Sequence, residues 1–123
     1  MANEIKIKWL SKPREHDYTA ASSYLSLLYD EATVSAHVER LNRAPMSKHR
    51  AKDIFRASGL SLLGVSNSHV KTDGKKIKAG KALSPLLLIR DPRNGKVIIA
   101  DGYHRLCAVY SYDEDALIPC KIA

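Results

Sequence analysis

Val97-Ile98-Ile99-Ala100-Asp101-Gly102-Tyr103-His104-Arg105-Leu106-Cys107-Ala108 is the stretch that decides how this chain folds. An apolar, β-branched run ends at Asp101-Gly102, and a helix-like run starts at once. A strand that feeds a helix through a tight turn aims the first backbone N–H groups of the helix outward. Those groups lack intrahelical acceptors and sit at the positive end of the helix dipole. Arg105 adds a forked, permanent cation on the first helical turn. Such a turn suits a phosphate or a carboxylate.

Elements on either side extend the reading. Pro85-Leu86-Leu87-Leu88-Ile89-Arg90 predicts a buried strand, and Asp91 to Gly95 predicts a turn with Asn94-Gly95 at its heart. Lys96 to Ala100 is then the returning strand of a hairpin. Tyr103 to Tyr112 predicts a helix, and Leu117 to Ile122 a last strand in which Pro119 marks an edge or bulge position.

In the first half, Ile5 to Leu10 alternates like a short strand that Pro13 closes. Asp17 is expected to cap a helix from Tyr18 to about Tyr29. A second helix is predicted over Glu31 to Arg43, with Val34, Val38 and Leu41 on one face. Ser47 is expected to cap a third helix through Ala51, Ile54 and Phe55 to Ala57, stopped by Gly59. Leu60 to Val65 is apolar but ambiguous in form. Val70 to Ala82, rich in Lys and Gly, reads as a loop.

Gly102, Arg105 and Ala108 fit a G-x-x-R-x-x-A pattern, and Asp101 to Arg105 reads D-G-x-H-R. The stretch resembles the ParB/sulfiredoxin superfamily, in particular its stand-alone members. The likeness covers about Leu83 to Ile122 and implies an α+β fold of that type, with N-terminal helices before a small mixed sheet. The implied organisation is a single domain over 1–123, mainly helical over 1–60, with the sheet and motif helix in 61–123. The resemblance also implies a nucleotide, ATP or CTP, held by its phosphates, with Mg²⁺ as an associated ion. Tyr103 stands where the sulfiredoxin pattern has its reactive cysteine. A phenol cannot do that sulfur chemistry, so sulfinic-acid reduction is not expected.

Each motif residue has two readings. Gly102 lets a phosphate approach closely, or merely makes a tight turn. Arg105 clamps phosphate oxygens, or forms a structural ion pair with Asp101 or another carboxylate. Asp101 serves Mg²⁺ or takes a proton in phosphoryl transfer, or caps the helix. His104 donates to a phosphate or shuttles a proton as a catalytic group, or packs against the sheet. Tyr103 and Ala108 belong to the binding turn by position, and Cys107 and Cys120 read as core residues. Of Lys71, Lys75, Lys76, Lys78 and Lys81, Lys81 is the best candidate to reach a polyphosphate, because it lies nearest the Pro85 strand.

Bulk composition bounds the partners. At 123 residues and 45% apolar content the chain can build one core without staples. No run approaches a membrane span, no signal-peptide core is present, and two cysteines without metal spacing fit a reducing, cytoplasmic setting. The net charge of +7 is uneven: eleven Lys/Arg against two Asp make the segment 40–81 +9 and leave the remainder at −2. A basic segment implies an anionic partner: the nucleotide, a nucleic acid, or an acidic protein. Any nucleic-acid binding must come from this segment and should weaken steeply with salt.

Overall fold

A computed structural model of the chain describes residues 6–64 and 66–123. The element order is α1 (Glu15–Leu25), α2 (Glu31–Arg43), β1 (Met46–Arg50), α3 (Ala51–Ser58), α4 (Ser68–Lys78), β2 (Leu86–Asp91), β3 (Lys96–Asp101), α5 (Tyr103–Tyr112) and β4 (Leu117–Ile122). The four strands form one mixed sheet in the order β1-β4-β2-β3. β1 is antiparallel to β4, β2 antiparallel to β3, and β4 parallel to β2 after the chain crosses over through α5. The class is α+β.

Helices cover both faces of the sheet. Leu87, Ile89 and Ala100 pack with Ala21 and Leu25 of α1 and Val34 and Leu41 of α2. Leu86, Leu88, Ile99, Ile118 and Cys120 pack on the other face with α3, α4 and α5. This explains why β2 reads as an unbroken apolar run instead of an alternation: Leu86, Leu87, Leu88 and Ile89 are each at most 1% exposed. Each contributes roughly 1.5–3 kcal/mol by leaving water.

Several local expectations are met. α2 and α5 and strands β2, β3 and β4 lie within a residue of where the sequence puts them. The structure adds a cap for α2 that the sequence reading did not name: Asp30 accepts from Thr33 N–H at 2.8 Å. Gly59 ends α3 in the left-handed conformation at φ 68°. Pro119, by contrast, is at neither an edge strand nor a bulge: β4 is an inner strand and Pro119 pairs in unbroken register with Lys48 of β1, at a point where the β2 ladder, which begins opposite Cys120, does not yet reach. Its missing N–H therefore costs no bond to β2.

Other expectations are corrected. Ser47 caps no helix; it lies in β1, which hydrogen-bonds to β4, and the helix starts only at Ala51. β1 thus carries part of the first half of the chain into the sheet. The lysine-rich stretch is the helix α4, not a loop. Its Asn67 side chain accepts from His69 and Val70 N–H, and Val70 and Ile77 bury its inner face. Asp17 is the third residue of α1 and not its cap: it accepts the Arg14 N–H at 2.8 Å and so closes the helix start from inside. α1 stops at Leu25, short of Tyr29. The first strand shrinks to one bridge between Trp9 and Leu83, with Ile5 outside the described residues. Residues 60–64 have no regular structure, and Val65 is likewise outside the described residues.

Candidate functional site

The hairpin positions the site through a bulge. Leu88 pairs with Ile99 and Leu87 with Asp101, so Ala100 is the extra residue. Paired residues share a face, and Leu87 faces α1 and α2. The bulge therefore turns Asp101 toward α1, where regular pairing would have aimed it at the α4–α5 layer. There the Asp17 carboxyl comes within hydrogen-bonding reach of Asp101. Asp17 is only 3% exposed.

Gly102 follows at φ +107°. A Cβ placed there would lie 2.7 Å from Leu86 Cγ and 3.0 Å from Arg105 Nη2. Packing and backbone conformation both demand glycine. α5 then begins, and its first helical bond runs from Leu106 N–H to Gly102 O at 2.9 Å. Among the described residues no side chain caps the N–H groups ahead of it. Asp101 turns away from them: its Oδ2 accepts from Arg105 Nη2 at 2.8 Å. The structural reading of Arg105 as an ion-pair partner is thus realised, and the capping reading of Asp101 is not. Arg105 Nη2 also reaches Pro85 O at 3.4 Å, while Nε is buried without a hydrogen-bond partner among the described residues.

The turn opens onto a cavity of about 230 Å³ lined by Asp101, Gly102, Tyr103, His104 and Arg105 together with His69 and Asp73. His69 and Asp73 stand four residues apart on one face of α4, so the helix that the sequence hides supplies the opposite wall. The His69 and His104 rings are 4.8 Å apart between centroids. Burial, then His69, lowers the His104 pKa, against an opposing pull from Asp73. Burial raises the Asp73 carboxyl, which Lys76, Arg105, His104 and His69 pull back down. Burial also raises Asp101; Arg105 opposes the shift and Asp17 adds to it. The cavity thus combines an uncapped helix start, a guanidinium and two imidazoles with two carboxyl groups held above their usual range.

Three other residues have structural roles. Tyr103 Oη donates to the Ser61 carbonyl and ties the irregular stretch before α4 to the motif helix. Ala108 is buried in the core beside Cys107. Cys107 Sγ accepts from Leu63 N–H at 3.5 Å, and burial pushes its thiol up, as it does for Cys120. Lys81 lies past the C-terminal end of α4, exposed, and does not line the cavity.

Among the described residues no group of three or more His, Cys, Asp or Glu is arranged to hold a metal ion. Asp101, the sequence candidate for Mg²⁺, is engaged by Arg105 and Asp17. No helix among the described residues is long and apolar enough to cross a membrane.

A larger open groove of about 1120 Å³ runs between residues 10–15, α1 and α2. It gathers no comparable chemistry, and Lys121 on its wall is tied to Asn42 O at 2.8 Å.

The basic segment is dispersed. Arg40 and Arg43 lie on α2, on one side of the sheet, whereas α3 and α4 lie on the other. Several of its cations have carboxylate partners: Arg43 with Glu39 at 2.5 Å, Lys52 with Asp115 at 2.6 Å and Arg56 with Asp53 at 3.5 Å.

Sequence signals for His69 and Asp73 exist but are faint. Asn67 is a good N-cap, and Val70 and Ile77 stand seven residues apart, two turns of one helix face. Comparison with protein-family models, with curated proteins and with solved structures found no match to this chain.

Proposed function

We propose that this chain is a nucleotide-phosphate-binding protein of ParB/sulfiredoxin type. The phosphates would lie on the N-terminus of α5, and one observation carries this reading. The uncapped N–H groups after Gly102 open onto a polar cavity that Arg105 and His104 also line. Backbone donors and a forked cation converging on one small space are what an oxyanion requires.

The size of the cavity limits what enters. About 230 Å³ is below the ~300–1,000 Å³ of pockets that engulf a drug-sized ligand, so phosphates fit and the base stays outside. Backbone N–H groups and His104 would hold the oxygens, and Arg105 would supply the balancing charge while it orients Asp101. A bound nucleotide could bring Mg²⁺ with it. If the protein is an enzyme, phosphoryl transfer is the matching reaction class, with Asp101 and His104 as its catalytic residues. The dispersal and pairing of the basic residues favour this reading over a nucleic-acid module.

Calorimetric titration with ATP, ADP and CTP, with and without Mg²⁺, tests it. Saturable binding that Arg105→Lys and His104→Ala weaken, with both variants folded by circular dichroism, is the expected result. No binding of any nucleotide to the folded wild type would overturn it.

A further inference from the structure

Asp73 poses a problem for a phosphate site, and its geometry suggests an answer. Its side chain is 14% exposed and lines the same cavity as the uncapped start of α5. Lys76 Nζ approaches at 3.9 Å, close enough for charge attraction but too far for a hydrogen bond. Among the described residues no donor bonds to this carboxylate. The groups that face it are Lys76 on its own helix, His69 one turn before, and His104 and Arg105 from α5.

A carboxylate facing a fully ionised oxyanion in a half-buried cavity is repulsive. The same carboxylate facing a phosphate hydroxyl accepts a charge-assisted hydrogen bond. A phosphomonoester or terminal phosphate loses its second proton near pH ~6, so near neutral pH it can keep that proton at little cost. Sulfate and a phosphodiester have no such proton to keep. Asp101 does not substitute for Asp73, because Arg105 already occupies it.

We infer that the cavity selects a phosphate terminus bearing one proton, with Asp73 accepting the phosphate O–H, and discriminates against sulfate and phosphodiesters. The inference rests on the phosphate-site reading above and deepens it by naming the ligand class: a phosphomonoester or the terminal phosphate of a nucleotide, not the backbone of a nucleic acid. The remaining phosphate oxygens accept from the α5 amides and from the imidazoles. His69 and Asp73 thereby become binding residues beside the D-G-x-H-R turn.

The test is competition calorimetry on the intact chain with inorganic phosphate, sulfate and dimethyl phosphate, for wild type and Asp73→Asn, near pH ~6.5. Wild type should prefer phosphate to both other anions by about tenfold or more, the order expected when a buried acceptor is left unsatisfied. Asp73→Asn, which keeps shape and breaks no hydrogen bond, should bring the three affinities together, mainly by admitting sulfate. Equal affinities in wild type, or a preference that Asp73→Asn leaves intact, would overturn the inference and leave the phosphate site standing. No binding of any anion to wild type would overturn both.

Discussion

Arg105 Nη2 lies 2.8 Å from Asp101 Oδ2, so the guanidinium on the first turn of α5 is tied back to the last residue of β3 across Gly102. The two side chains are 17% and 15% exposed. This pair braces the strand-to-helix turn from outside while Gly102 lets Leu86 pack beneath it.

Removing Arg105 should therefore cost stability as well as binding. Arg105→Ala leaves Asp101 beside Asp17 without its cation, and breaking a buried pair costs about 3–5 kcal/mol. Partial exposure reduces that, and about 2 kcal/mol is expected in urea denaturation. Asp101→Asn should cost less, because the amide oxygen still accepts from Arg105 and the carboxyl contact to Asp17 is relieved. Equal losses in the two variants would contradict this account.

Gly102→Ala should destabilise by about 2–4 kcal/mol. Its φ of +107° is strained for any side chain, and the added Cβ would lie 2.7 Å from Leu86 Cγ. Gly95→Ala shares the positive φ at 63° but meets nothing within 4 Å. A larger drop in melting temperature for Gly102→Ala than for Gly95→Ala would separate packing from backbone strain.

His104 should remain neutral to a lower pH than an ordinary imidazole, whose pKa is 6.5, because burial and His69 both oppose its charge. Its folded pKa lies below its unfolded one, so the folded state binds fewer protons. The stability this group contributes is present above the unfolded pKa and is lost as pH falls through the folded value. NMR titration should show the His104 resonances shifting at lower pH in the folded protein than in the urea-unfolded chain. His69→Asn should move the His104 midpoint upward.

Asp73 and Asp101 give the opposite sign. Their carboxyl pKa values are raised, chiefly by burial. The stability each contributes is full below the unfolded pKa and is lost as pH rises through the folded value. Asp73→Asn should match or exceed wild type in stability at neutral pH, by less than about 1 kcal/mol. The difference should vanish in acid. Paired denaturation curves across that range check it.

Neither cysteine should react in the native state. Both are fully buried, and burial raises both thiols. A thiol reagent should modify none in buffer and two in denaturant. Rapid native reaction of one thiol would show that the segment before α4 opens readily, because Cys107 is held against Leu63 there.

How far the sequence could be read depended on whether a signal was local. α2 announced itself through apolar spacing, the β2–β3 hairpin through Asn94-Gly95, and α5 through the Asp-Gly stop before it. Each of these signals acts within a few residues, so the sequence by itself determined these elements and the tight strand-to-helix turn between β3 and α5. Local preference is weak where tertiary contacts do the work. β1, Met46-Ser47-Lys48-His49-Arg50, has no apolar alternation and is a strand because β4 supplies its hydrogen bonds. α4 carries Gly74, which weakens a helix, and only two apolar residues to mark a face, and it forms because Val70 and Ile77 bury that face against the core. The site divides the same way. Asp101, Gly102, His104 and Arg105 were legible as one motif. Only the folded chain decided that a bulge turns Asp101 toward Asp17 and that His69 and Asp73 close the cavity. The physical reason is that burial and register are collective: no short stretch of residues states which distant side chain will stand opposite it.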